Sequence, residues 1–178
     1  VGRARAKLQK GDKAGAAADA AAVPAGFVFS LQMTDDLTNR TRLSNRLYQF
    51  TFDRQSISVA PWFRTGDPRV TFIAPGQPGA LPGQDAVPGG MHRQTKFNAY
   101  NAPLRLASKL EADYVAAEAT DVAAQLALIA ARRAANGRPA YAGATDAASV
   151  LAELFNQRAF ELYLEGRRVA DFRRAPAA

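Results

Sequence analysis

The residues best able to do chemistry lie close together near the end of the chain. Arg158, Glu161, Glu165, Arg167, Arg168, Asp171 and Arg174 fall within one stretch, LAELFNQRAFELYLEGRRVADFRR. Glu161 and Glu165 are the residue types of a glycosidase carboxylate pair. The arginines beside them argue against that chemistry. Nearby cations keep both carboxylates ionised, whereas a general acid needs one of them protonated near neutral pH. The same spacing suits a structural ion network. Arg158 with Glu161 and Glu165 with Arg168 are spaced i,i+3, and Arg167 with Asp171 is spaced i,i+4, so on a helix each pair can meet. Glu161 and Glu165 repel each other at i,i+4. A cation from another helix is therefore expected between them, with Arg132 or Arg133 as the source. The expected network is Arg132, Arg133, Arg158, Glu161, Glu165, Arg168 and Asp171, with no catalytic residue.

Other chemistry is sparse. His92 is the only histidine, in GGMHRQ, where a solvated loop residue is expected. Hydrolytic triads and imidazole metal sites need a rigid His with partners. There is no cysteine, so thiolate metal sites, Cys nucleophiles and disulfides are excluded. No glycine-rich loop follows a strand and opens a helix, so no nucleotide, cofactor or metal is expected. What remains suits carbohydrate. Sugars stack on Trp or Tyr while polar side chains bond their hydroxyls. Trp62, Tyr48 and Tyr100 are the candidate platforms, with Arg64 and Asn98 near them in sequence.

These residues must be carried by a mostly helical chain. Hydrophobic residues make up 48% and charged residues 22%, which is globular composition. Val1 to Lys10 reads as helix, Gly11 as a turn, and Asp12 as the cap of a second helix ended by Pro24. Gly26 to Leu31 reads as a short strand. Leu43, Leu47 and Phe50 would share the face of a short helix. Gln55 to Ala60 alternates as a strand does, and Val70 to Ile73 reads as another. Pro75 to Gly90 is a Gly/Pro-rich exposed loop, and Gln94 to Tyr100 is read as a returning strand. Pro103 suits a helix start, with the helix running through Leu104, Ala107, Leu110, Tyr114, Ala117 and Asp121. A further helix spans Val122 to Asn136. The last, capped by Thr145 or Asp146, is read as continuous to Arg174. Its face would carry Leu151, Leu154, Phe155, Ala159, Leu162, Gly166, Val169 and Phe172. The organisation expected is a single domain: a helix pair (1–24), an irregular region with short strands (25–101) and a helical region (102–174).

The terminal stretch resembles the C-terminal signature of the SusD/RagB family. That pattern reads roughly E-R-x-x-E, three apolar residues, E-G-x-R, two aromatics, D-L-x-R-W. Arg158, Glu161, Glu165, Gly166, Arg168, Asp171 and Arg174 stand at its fixed positions. Gln157, Val169, Ala170 and Ala175 depart from it. Asp67-Pro68-Arg69 resembles the family's D-P-R, Ala117-Glu118-Ala119 its A-E-A helix, and IAARRAANG its I-R-x-R-A-G. Leu8 to Gly11 resembles the inter-helix turn of a tetratricopeptide repeat. The resemblance implies a tetratricopeptide-like helical scaffold with irregular loops and a few short strands. It also implies that the chain is the C-terminal part of a longer protein, whose lipid anchor lies upstream. The implied function is non-enzymatic binding of a glycan or oligopeptide nutrient on the extracellular face of the outer membrane. A SusC-type TonB-dependent transporter is the implied partner. A tetratricopeptide-like protein-interaction scaffold is the alternative.

The balance of charge is basic, with a net charge of +7 and a pI near 10.1. A nucleic-acid surface would gather that charge in one stripe. Here it is dispersed and interleaved with acids, so nucleic acid is not expected as a partner.

Overall fold

The computed structural model describes residues 1–84 and 89–174. Part of the Pro75–Gly90 loop, and Ala175 at the signature's Trp position, lie outside the described residues. The elements run α1 (Gly2–Gln9), α2 (Lys13–Ala21), β1 (Val28–Leu31), α3 (Arg40–Leu43), α4 (Arg46–Phe52), a single 3-10 turn (Pro61–Phe63), β2 (Phe72–Ile73) and β3 (Arg93–Gln94). They continue with β4 (Leu104–Ser108), α5 (Lys109–Ala119), α6 (Val122–Ala135), α7 (Ala147–Glu161) and α8 (Arg168–Phe172). Helix accounts for 45% of the described residues, and β1 with β4 and β2 with β3 form two-stranded sheets, so the protein is mostly α as its composition predicts. The chain divides into two compact units: residues 1–29 with 105–178, and residues 30–104.

The first unit is built around α5. Asp12 caps α2 by accepting the Gly15 N–H at 2.9 Å. A side chain at Gly15 would meet the Asp12 carboxylate at 2.2 Å, so the carboxylate would have to shift to keep this cap. Ala4, Leu8, Ala16, Ala20 and Val23 of the first helix pair pack on Ala112, Val115 and Ala119 of α5. Small residues let these helices approach closely. A second cluster joins Tyr114 and Ala117 of α5 to Ile129, Val150 and Leu154. Side-chain caps start α5, α6 and α7: Ser108 on the Glu111 N–H, Asp121 on the Ala124 N–H, and Asp146 on the Ala148 and Ser149 N–H groups.

Two expectations for this unit are corrected. The helix read from Pro103 begins only at Lys109. Leu104 to Ser108 is strand, pairing with β1, and Lys109 donates its N–H to the Phe27 carbonyl at 2.8 Å. The terminal helix is not continuous to Arg174. It stops at Glu161 and restarts at Arg168. Leu164 at φ 60° and Gly166 at φ 72° make the break. Positive φ is accessible to glycine and ends a helix cleanly. Val169 and Phe172, placed on the apolar face by the continuous-helix reading, are 64% and 63% exposed.

The second unit contains the irregular stretch. The helix expected through Leu43, Leu47 and Phe50 is split at Ser44, because Asn45 starts a new one by accepting the Tyr48 N–H at 3.1 Å. Leu43 and Phe50 are exposed and share no buried face. Gln55 to Ala60 forms no strand. Gln55 has φ 50°, and Val59 donates its N–H to the His92 carbonyl at 2.8 Å. Ser58 Oγ accepts the His92 N–H at 3.0 Å. The strands read at Val70–Ile73 and Gln94–Tyr100 shrink to β2 and β3, antiparallel with Phe72 opposite Gln94 and Ile73 opposite Arg93. Gln94 is fully buried and satisfied: its amide donates to Thr51 Oγ1 and the Phe97 carbonyl and accepts the Phe97 N–H. After the Gly66 turn, Arg69 Nε and Nη2 meet the Asp67 carboxylate at 2.8 and 2.7 Å, with both side chains at least 94% buried.

Candidate functional site

Arg158, Glu161, Glu165, Asp171 and Arg174 converge inside the first unit, in three clusters. In the first, Glu118 of α5 faces two arginines. Arg158 Nη1 lies 3.3 Å from Glu118 Oε2, and Arg174 Nε lies 2.6 Å from Glu118 Oε1. Asp171 Oδ1 closes the cluster, 3.3 Å from Arg158 Nε and 3.1 Å from Arg174 Nη2. The Arg158 side chain is 3% exposed and that of Asp171 2%. Asp171 Oδ2 has no hydrogen-bond partner among the described residues. Burial pushes the Asp171 carboxyl pKa up, against the pull of Arg158 and Arg174.

The second cluster surrounds Glu111, the first-turn acid of α5. Arg5 of α1 and Arg167 after α7 both pair with its carboxylate, and both donate to the Leu106 carbonyl. Burial pushes the Arg167 pKa down. In the third, Arg105 of β4 grips Glu165 with two parallel bonds, at 2.9 and 2.7 Å, and donates to the Glu161 carbonyl at 3.0 Å. Such forked pairing fixes orientation as well as charge. Arg132 Nε meets Glu161 Oε1 at 2.7 Å, with Asn136 Nδ2 on the same oxygen at 3.0 Å.

The expected members divide as follows. Arg132, Arg158, Glu161, Glu165 and Asp171 are in the network. Arg132 meets the Glu161 carboxylate, while the Glu165 carboxylate is held by Arg105, from a strand. Arg133 instead pairs with Glu153 at 2.6 Å. Arg168 is outside the clusters: its guanidinium reaches the Phe155 carbonyl at 3.4 Å and covers the Phe172 ring at 4.4 Å. The helix break rotates it away from Glu165. The expected network omitted Arg5, Arg105, Glu111, Glu118 and Arg174. One signal was available: Glu111 and Glu118 sit seven residues apart among the apolar residues of α5, where a charge needs a partner. The Leu104-Arg105-Leu106 alternation is a strand pattern.

The aromatic candidates belong to the second unit. Tyr48 and Tyr100 meet edge to face at 4.7 Å, and Tyr48 stacks on Phe52 at 4.2 Å. Arg40 covers the Tyr100 ring at 4.1 Å, and the Tyr100 hydroxyl donates to Asp53 Oδ1 at 2.7 Å, which raises its pKa. One face of Tyr100 is thus occupied by the protein itself. Trp62 stands on the 3-10 turn, 68% exposed, with Phe63 at 6.3 Å as its ring neighbour. Pro61 at the start of that turn fixes its φ. Arg64 Nε is held by the Val59 carbonyl at 2.8 Å, and Asn98 is exposed. The structure joins Tyr48 to Tyr100 and seats Arg64 beside the Trp62 turn. It does not gather all five residues into one pocket. His92 is no solvated loop residue: its ring packs 5.5 Å from Phe72, and its Nδ1 is buried.

Chemically, the network places guanidinium groups against carboxylates, an arrangement that holds elements together. The exposed indole offers a flat apolar face to a ligand. No helix of the described residues is long and apolar enough to cross a membrane, and no group of three or more metal-ligating side chains occurs among them. Compared with family models, curated protein sequences and solved structures, the chain matches none.

Proposed function

We propose that this chain is the C-terminal portion of a SusD/RagB-like nutrient-binding protein. In this reading it captures a glycan or oligopeptide at the outer face of the outer membrane, without turning it over. A lipid anchor upstream holds it there, and the ligand passes to a SusC-type TonB-dependent transporter. One observation carries the reading: the spaced signature residues have distinct physical jobs that depend on one another. Arg158, Glu161, Glu165, Asp171 and Arg174 lie in the ion network, and the turn at Gly166 is followed by Asp171, which meets Arg158, and Arg174, which meets Glu118 of α5. Glu118, from the A-E-A segment, is the shared carboxylate. The D-P-R segment forms its own buried pair. A tetratricopeptide-like scaffold is supported by the α1–α2 hairpin, whose small residues Ala4, Ala16 and Ala20 pack on α5. That same hairpin favours the second reading, a protein-interaction scaffold.

Trp62 provides the test. It is the only tryptophan and is mostly exposed, so its fluorescence reports a ring stacking on it without labels. Titration with a panel of oligosaccharides and oligopeptides is expected to quench or blue-shift the emission with at least one class. Calorimetry on Trp62→Ala should show that binding lost. A folded sample that gives neither heat nor an emission change across the panel would overturn ligand capture by this chain and leave the scaffold reading.

A further inference from the structure

The short helix α8 and the residues flanking it divide their side chains between two faces. Arg167, Asp171 and Arg174 turn inward. Arg167 Nε lies 3.2 Å from Glu111 Oε1, Asp171 Oδ1 lies 3.3 Å from Arg158 Nε, and Arg174 Nε lies 2.6 Å from Glu118 Oε1. At the helical period, positions 168, 169, 172 and 173 fall on the opposite side. Val169 and Phe172 are both mostly exposed, and their i,i+3 spacing makes them neighbours. The Arg168 guanidinium covers the Phe172 ring at 4.4 Å, and Arg173 is exposed beside it. Neither arginine forms an ion pair among the described residues. The outer face therefore joins two apolar side chains to two cations, on a helix that three ion pairs hold in place.

Such a face suits a partner with negative charge and an apolar layer. The size of the patch separates an acidic protein from anionic lipid. A stable protein interface takes about 800 Å² from each partner, and two apolar side chains on a five-residue helix fall well short of that. A lipid surface needs no matching shape. An aromatic and an aliphatic side chain can enter the boundary between headgroups and acyl chains while arginines meet the phosphates. Arg168, lying along the Phe172 ring, can keep its charge at that boundary as the ring goes in. The net charge of +7 draws the whole chain toward the same surface.

We propose that α8 is a membrane-contact element, which seats Arg168, Val169, Phe172 and Arg173 on an anionic lipid surface. The face shares no residue with the ion clusters or with the aromatic surface around Trp62.

Co-sedimentation of the whole chain with phosphatidylcholine vesicles, with and without phosphatidylglycerol, tests this. Binding is expected with phosphatidylglycerol and should weaken as salt rises. Arg168→Gln together with Arg173→Gln should weaken it, by roughly fivefold for each arginine. Lys10→Gln together with Lys13→Gln removes the same charge from exposed positions elsewhere, and should weaken binding by no more than about twofold. Phe172→Ser should weaken it by about tenfold or more. All these variants should keep the Tm of the natural protein, because the side chains are on the outside. In a Trp62→Phe background, Phe172→Trp leaves one indole, on α8, and its emission should shift to the blue on phosphatidylglycerol vesicles. The proposal is overturned if the chain does not sediment with those vesicles, if the lysine pair matters as much as the arginine pair, if Phe172→Ser binds normally, or if the emission does not move. Phe172-dependent binding to poly-L-glutamate, without binding to vesicles, would also overturn it and give the face to an acidic protein.

Discussion

Replacing Glu118 by alanine is the sharpest test of the ion network. Glu118 is 7% exposed and faces both Arg158 and Arg174. Without it, Arg158, 3% exposed, keeps only Asp171 as a carboxylate partner, at 3.3 Å. Removing one partner of a buried pair destabilises by roughly 3–5 kcal/mol, because the other charge stays buried. Arg174 is 14% exposed and can turn toward water, so the penalty falls mainly on Arg158. The expected loss is therefore at the low end, about 3 kcal/mol. With a urea dependence of about 2 kcal/mol per molar, the midpoint falls by roughly 1.5 M. Far-ultraviolet circular dichroism is the suitable probe, because the longest helices are all in this unit. Glu118→Ala combined with Arg158→Met should recover much of the loss, since no charge is then stranded. A loss within about 0.5 kcal/mol would show these charges to be solvated, and the reasoning would fail.

Further outcomes follow from the same geometry. Arg168→Ala should change stability by no more than about 0.5 kcal/mol in urea melts, because among the described residues its guanidinium bonds a carbonyl and covers an exposed ring rather than pairing with a carboxylate; a loss above 2 kcal/mol would return it to the network. Asp171 has a folded pKa raised above the ordinary 3.8, so its ionised form is the disfavoured one in the fold. Relative to Asp171→Asn, the natural protein should gain stability as pH falls through that raised pKa and level off near 3.8. The opposite slope in Tm against pH would show that Arg158 and Arg174 outweigh burial. Burial pushes the Tyr163 phenol up to about 12 from 10.0, so stability present below pH 10.0 should be lost as pH rises toward 12. Tyr163→Phe should flatten that loss and remove a phenol titrating near 12 from the ultraviolet absorbance.

The sequence was most legible where structure is local. Asp12 and Asp146 announce caps because an acid before an Ala-rich run has few other uses. The Arg132–Glu161 contact was readable from a like-charge pair that needed a cation. Arg105 was not, because Pro103 suggests a helix start that overrides the short Leu104-Arg105-Leu106 alternation, and the pairing with β1, far away in sequence, settles Leu104–Ser108 as strand. Glu111 depends on Arg5, 106 residues distant, a contact no local spacing encodes. Gly166 did carry a signal: a glycine inside a helix costs about 1 kcal/mol, which argues for a break. The exposure of Trp62 had none, since an irregular stretch offers no period to read.

The order in which the first unit is made follows from its discontinuity. Its α1–α2 hairpin leaves the ribosome long before α5, with residues 30–104 synthesised between them. Until α5 arrives, Ala4, Ala16 and Ala20 have half a core to pack on, and Arg5 has no carboxylate to meet. The hairpin is therefore a client waiting for its partner through that interval. Its small, weakly apolar face suits the wait, since it gives aggregation little to hold.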